Sequence, residues 1–205
     1  MARLLYNLLI TVLTPLFLSR LFYKSLREPH YRRRWWRRFA LGLPARTRPG
    51  DGLIWVHAVS VGELLAVAPL IERLLTEWPD KAVLVTNTTP SGSAETQKLF
   101  ADRVEHTWFP FDAPLVTGAF IRHWDPQLIV MVETEIWSNL LTSAKDHSIP
   151  VALVNARLSA RSARSYARFG SLTTKALNDF ALIACQSKSD FRRFWKIGAD
   201  PAKMQ

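Results

Sequence analysis

From Leu53 onward, short continuous apolar runs alternate with longer stretches in which apolar residues recur every three or four positions. The runs are Leu53–His57 (LIWVH), Ala82–Thr86 (AVLVT), Val104–Phe109 (VEHTWF), Gln127–Val132 (QLIVMV), Val151–Asn155 (VALVN) and Phe180–Ala184 (FALIA). They are rich in β-branched residues and largely apolar at successive positions, which predicts strands buried on both faces. The stretches between them predict helices over about 62–77, 91–101, 113–123, 136–146, 163–178 and 189–197. Such alternation predicts an α/β fold, a Rossmann-like parallel sheet with helices on both faces and right-handed crossovers.

The pattern ahead of Leu53 is different. Leu4 to Ser19 (LLYNLLITVLTPLFLS) carries no charge over 16 residues, short of the ~20 that span a bilayer comfortably. Asn7 and Pro15 weaken it further as a spanning helix. The flank, Arg20-Leu-Phe-Tyr-Lys24 and then Tyr31-Arg-Arg-Arg-Trp-Trp-Arg-Arg38, mixes bases with aromatic rings as the headgroup layer favours. A secretory signal is disfavoured, because no A-x-A-like site follows and the basic cluster lies on the wrong side. The expectation is therefore a membrane anchor or interfacial helix over 1–27, with a helix docked on the protein's own core as the plainer alternative. If the segment inserts, the positive-inside bias puts the body in the cytoplasm. Residues 28–52 form a basic, aromatic juxtamembrane segment and linker; 40–52 alone hold two prolines and three glycines. The Rossmann-like domain then runs over 53–205.

Charge and composition narrow the function. Residues 1–38 hold nine Lys/Arg and one acid, Glu28, a net +8 of the total +10. A body so close to neutral does not fit a nucleic-acid partner, whose binder spreads bases over its folded face. One cysteine, Cys185, excludes an internal disulfide and a multi-cysteine zinc site. The sequence has no G-x-G-x-x-G, no G-x-x-x-x-G-K-[ST] and no D-x-D, and His30, His57, His106, His123 and His147 lack metal-ligand spacing. The expectation is no metal and no cofactor.

In a parallel sheet, ligands bind outside the carboxyl ends of the strands. The residues that follow the apolar runs are Ala58-Val-Ser-Val-Gly-Glu63, Asn87-Thr-Thr-Pro-Ser-Gly-Ser93, Pro110-Phe-Asp112, Glu133-Thr-Glu135 and Ala156-Arg-Leu-Ser-Ala-Arg161. Ser60-Val-Gly-Glu63 has the S-x-x-E spacing of a capping box; an ionised Glu63 turned toward the cleft would instead serve as a general base. Glu133 and Glu135 would share a face of an extended chain, and their repulsion would raise one pKa. Arg157, Arg161 and Arg164 have helical spacing, either a solvated basic face or a phosphate site. The loop Thr88–Ser93 reads as an ordinary N-cap loop rather than an anion site. Ala58-Val-Ser60-Val-Gly62 is a relaxed nucleophile elbow, but no histidine follows a predicted strand to complete a serine hydrolase.

Taken together, Tyr31-Arg-x-Arg-Trp, His57-Ala-Val-Ser-Val-Gly-Glu63, Thr88-Thr-Pro-Ser-Gly-Ser93, Glu133-Thr-Glu-Ile-Trp137 and Asn155-Ala-Arg-Leu-Ser-Ala-Arg-Ser162 resemble the 3-deoxy-D-manno-octulosonic acid (Kdo) transferases of the lipopolysaccharide pathway. The resemblance runs over essentially the whole chain. It implies the N-terminal, acceptor-binding domain of a two-domain GT-B glycosyltransferase, inverting and metal-independent. The implied donor is CMP-Kdo, the acceptor a lipid A precursor such as lipid IVA, and the location the cytoplasmic face of the inner membrane. It implies Glu63 as proton acceptor and Glu133 as transition-state stabiliser, so Glu63 does more than cap a helix. Ser60, Asn155, Arg157 and Arg161 are the acceptor-binding candidates. Ser138 stands where the family usually has proline, which mainly fixes φ at a helix start. The family continues past Gln205 into a lysine-bearing segment and a second Rossmann-like domain that binds CMP. The 205-residue chain alone is therefore expected to bind acceptor lipid but to transfer no Kdo. The alternatives are a non-catalytic lipid- or anion-binding module and a serine hydrolase acting through Ser60.

Overall fold

The computed structural model describes residues 2–28, 30, 34–47 and 50–205. Tyr31, Arg32 and Arg33 of the basic aromatic motif, and Arg48 and Pro49 of the linker, lie outside the described residues.

The chain begins with a helix, α1 (Ala2–Arg27), which continues through Pro15. The hydroxyls of Thr11, Thr14 and Ser19 each donate to the carbonyl four residues back at 2.8 Å, so their polar groups are satisfied within the helix. A short 3₁₀ segment, Trp35–Phe39, follows. The body then alternates as expected: β1 (Leu53–His57), α2 (Val61–Glu77), β2 (Ala82–Asn87), α3 (Pro90–Phe100), β3 (Glu105–Trp108), α4 (Pro114–Trp124), β4 (Leu128–Val132), α5 (Ser138–Asp146), β5 (Val151–Ala156), α6 (Ala160–Ala167), α7 (Ser171–Asp179), β6 (Leu182–Cys185) and α8 (Lys188–Lys196).

Among the described residues the strands form one six-stranded sheet in the order β3-β2-β1-β4-β5-β6, parallel throughout. Successive strand residues point to opposite faces, and both faces are buried. Leu53, Trp55, Leu84, Ile129, Met131 and Leu153 belong to one core, covered by α4, α5 and α7. Ile54, Val56, Val83, Val85, Val130 and Val132 belong to the other, covered by α2 and α3. This explains the unbroken apolar runs: a strand roofed on both sides has no polar face to alternate with.

Two expectations are corrected. The single helix over 163–178 is two helices, α6 and α7, separated near Gly170, whose φ of +44° favours glycine. Arg157, Arg161 and Arg164 do not share a helix face. Arg157 sits in the loop after β5, and only the other two lie on α6, where both are exposed.

Candidate active site

The chain leaves β1 in one direction and β4 in the other, so the crevice between their carboxyl ends is the topological switch point of the sheet. The first turn of α2 and the β4–α5 and β5–α6 loops rim it, and they carry Glu63, Glu133, Glu135 and Arg157.

Glu63 is held from below. The Val59 backbone N–H donates to Glu63 Oε2 at 2.7 Å and the Ser60 hydroxyl donates to Oε1 at 3.2 Å. This is not the expected capping box, because Ser60 is the N-cap residue but its hydroxyl makes no capping bond to the helix backbone. Ser60 gives its proton to Glu63 instead, which leaves the first turn of α2 to its dipole and turns the carboxylate into the acceptor. Val59 is fixed in turn by the β2–α3 loop. Thr88 and Thr89 N–H groups and the Thr89 hydroxyl all donate to the Val59 carbonyl, and Asn87 donates to Ala58 O at 2.8 Å. Gly92 fits closely here: a Cβ would lie 3.1–3.3 Å from Thr89, Asn87 and the Val59 carbonyl, so those neighbours would have to give by a few tenths of an ångström. The Thr89 hydroxyl accepts from Gly92 N–H, so this is an N-cap loop, as read from sequence. Burial raises the pKa of Glu63, the Val59 hydrogen bond opposes that, and the nearby charge of Glu133 adds to it.

Glu133 adopts φ +63° and Asn155 φ +50°. These are left-handed conformations, uncommon for non-glycine residues, at the ends of neighbouring strands. The Glu133 N–H still donates to Val154 O at 3.0 Å, so the ladder continues while the chain turns sharply. Glu133 and Glu135 are therefore not on an extended chain as expected, although both carboxylates reach the same crevice. Glu133 Oε1 lies 3.7 Å from Arg157 Nη1. The Thr134 hydroxyl donates to the Arg157 carbonyl, which ties the β4–α5 and β5–α6 loops together, and Leu158 N–H donates to Asp190 of α8 at 2.9 Å, which fixes the β5–α6 loop from its other side. Arg161 has no carboxylate partner among the described residues.

Glu135, which the sequence singled out only as a repelling partner of Glu133, completes the pocket with His57, Thr86 and Trp137, to which sequence reasoning assigned no role. His57 is fully buried and stacked on Phe109, centroids 3.7 Å apart. Its Nδ1 lies 3.0 Å from both the carbonyl and the hydroxyl of Thr86. Its Nε2 faces Glu135 Oε2 at 3.8 Å. Burial lowers the His57 pKa to about 3, so the ring is neutral and this contact is not an ion pair. Glu135 Oε2 accepts from Trp137 Nε1 at 2.6 Å. Burial raises its pKa to about 7; the Trp137 bond opposes this, while the charges of Glu63 and Glu133 reinforce it. Repulsion within the Glu-Thr-Glu pair was the expected cause, but desolvation is the larger one. The available signal was a histidine ending an otherwise apolar strand.

Ser60 pairs with a glutamate, and His57 is committed to Thr86 and Glu135. No histidine is paired with Ser60 among the described residues, which removes the serine hydrolase arrangement. A cavity of about 860 Å³ lies elsewhere, against α3 and β3, lined among others by Arg34, Arg37, Ser93 and His106. No carboxylate lines it among the described residues, so convergence of chemistry rather than size locates the site.

Fold and site together define a Rossmann-like α/β domain with a cluster of carboxylates at its switch point. Solved structures agree on the fold. Putative UDP-N-acetylglucosamine 2-epimerase from Listeria monocytogenes superposes with a TM-score of 0.53 at 13% identity, over 76% of this chain and 44% of that one. UDP-GlcNAc 2-epimerase from Neisseria meningitidis gives 0.53 at 12%, over 74% and 45%. The family model described as 3-deoxy-D-manno-octulosonic-acid transferase (kdotransferase) matches residues 33–205. The 3-deoxy-D-manno-octulosonic acid transferase of Haemophilus influenzae is 34% identical over 100% of this chain and 48% of its own length. A probable mitochondrial homologue from Arabidopsis thaliana is 35% identical over 96% and 44%. The chain belongs to the Kdo transferase family, and it spans about half the length of the curated relatives it matches.

Proposed function

We propose that this chain is the acceptor-side half of a Kdo transferase that works on the cytoplasmic face of the inner membrane, moving Kdo from CMP-Kdo to a lipid A precursor such as lipid IVA. The reading rests on one observation above all: Glu63 and Glu133 converge at the switch point, close enough for the charge of one to raise the proton affinity of the other. The acceptor hydroxyl gives its proton to Glu63 as its oxygen bonds to the anomeric carbon of Kdo. The bond from that carbon to the CMP phosphate oxygen breaks on the opposite face, which inverts the centre. Raised proton affinity makes Glu63 a stronger base than an exposed glutamate. Glu133 is an anion beside the cationic character that develops at the anomeric carbon, and it stabilises that charge. Arg157, 3.7 Å from Glu133 and more than half exposed, is placed to meet an acceptor phosphate. Ser60 and Asn155 line the acceptor side, and Arg161 extends the basic rim outward.

The test is Kdo transfer with a donor-binding half supplied. Glu63→Gln keeps the hydrogen bond from Val59 and removes the base. Turnover is expected to fall ~10²–10⁴-fold, while stability changes by no more than the ~0.5–2 kcal/mol typical of a helix cap. Near-normal turnover with a lowered melting temperature would make Glu63 structural only.

A further inference from the structure

Helix α1 is docked along its length rather than standing away from the body. Tyr6, Ile10, Leu13, Phe17, Arg20 and Lys24 follow one another at helical spacing and form one stripe. At one end the Tyr6 hydroxyl donates to Asp112 at 2.6 Å. In the middle Phe17 packs on Phe111, centroids 5.0 Å apart. At the other end Arg20 and Lys24 line a small cavity with Arg38 and Thr88. That stripe covers about 27 Å at 1.5 Å per residue. The opposite side, including Leu4, Leu8 and Val12, is exposed and apolar.

Between stripe and body lies an apolar cavity of about 390 Å³, walled by Ile10, Leu13 and Phe17 on one side and Phe109, Phe111 and Trp137 on the other. Its inner wall is the outer wall of the carboxylate pocket: Phe109 stacks on His57, and Trp137 donates to Glu135. Arg20 and Arg38 also line it. Apolar walls running from a lipid-facing helix to a catalytic pocket, with guanidinium groups at the side, match an acylated, phosphorylated amphiphile and do not match a free sugar.

We propose that the groove between α1 and the β3–α4 and β4–α5 loops holds an acyl chain of the lipid acceptor. This rests on the acceptor reading above. The chain, seated against Phe109 and Trp137, places the sugar head over Glu63 and Glu133 while the phosphates stay within reach of Arg20. The anchor is thereby one wall of the acceptor site as well as a tether.

The test uses the 205-residue chain in phosphatidylethanolamine–phosphatidylglycerol vesicles. Lipid IVA with a diazirine in one acyl chain is photolysed, in parallel with diazirine-bearing phosphatidylglycerol at the same mole fraction, and labelled positions are mapped by mass spectrometry. Lipid IVA is expected to label Ile10, Leu13, Phe17 and Phe111 at least about tenfold over the phospholipid, a discrimination worth roughly two buried methylene groups. Leu13→Glu should abolish that preference, and Leu8→Glu, on the outer face, should keep it. Equal labelling by both probes, or labelling confined to Leu8 and Val12, would overturn the groove. Binding of de-acylated lipid IVA, read by titration, separates the two ideas. If it binds and the groove stays unlabelled, only the groove is wrong; if neither form binds, the acceptor reading falls with it.

Discussion

Glu135 keeps its proton to about pH 7 because burial and two neighbouring carboxylates oppose its ionisation. In the unfolded chain the same group titrates near its ordinary value. Between those two pH values the folded state binds more protons, so the contribution of Glu135 to stability declines as pH rises and levels off above pH 7. His57 works the other way: neutral in the fold down to about pH 3, it costs stability as pH falls through the ordinary histidine range. Glu135→Gln keeps a partner for Trp137 and removes only the carboxylate term. It should leave stability at pH 4.5 nearly unchanged and raise it at pH 8 by up to about 3 kcal/mol, read from urea melts at both values. A variant no more stable than the parent at pH 8 would show that Glu135 is ionised at no cost. At this scale the sequence was only partly legible. Glu63 and Glu133 follow apolar runs and can be singled out from spacing and resemblance. His57 and Glu135 meet through strand pairing and a left-handed turn at Glu133, neither of which any local spacing encodes.

Asp112 shows how elements are joined. Its carboxylate accepts from Leu140 N–H at 2.8 Å and Asn139 N–H at 3.2 Å, the open donors at the start of α5, and from the Tyr6 hydroxyl of α1. An anion at that helix end is favoured by the dipole as well as by the hydrogen bonds. Asp112→Ala leaves two buried donors unmet and should cost about 2–4 kcal/mol in chemical denaturation. Tyr6→Phe loses a single bond and should cost about 1 kcal/mol. If the two cost the same, Asp112 serves the anchor and not α5. Element existence and order were legible throughout the body, because a strand covered on both faces writes a continuous apolar run and its helices write a 3–4 period. The break between α6 and α7 was not. The helical stretch of 163–178 runs on through Gly170, a residue that is tolerated in a helix and marks the end here only through its positive φ.

On the scale of the molecule, α1 exposes a long run of apolar side chains, and its Tyr6–Leu26 stretch is long and apolar enough to cross a membrane. Deleting residues 1–26 should move the protein from the membrane pellet to the soluble fraction and abolish flotation with anionic liposomes. A full chain that ignores such liposomes would refute the anchor. Docking on the body was one of the two readings of the uncharged run, but which residues form the docked stripe was not legible, since that depends on where the β3–α4 loop lies. The strand order has a consequence for how this protein is born. β1 sits at the middle of the sheet, and its second neighbour, β4, begins about 20 residues after β3 ends. At a ribosomal pace of ~5–20 residues per second, β1, β2 and β3 wait about 1–4 s with the open edge of β1 unpaired. That edge reads Leu-Ile-Trp-Val-His, the kind of strand that seeds aggregation when left uncovered. The nascent chain thus passes through an interval in which the strand that leads into its candidate site is an open apolar edge, and a chaperone that shields residues 53–57 during that interval would raise yield without touching the finished fold.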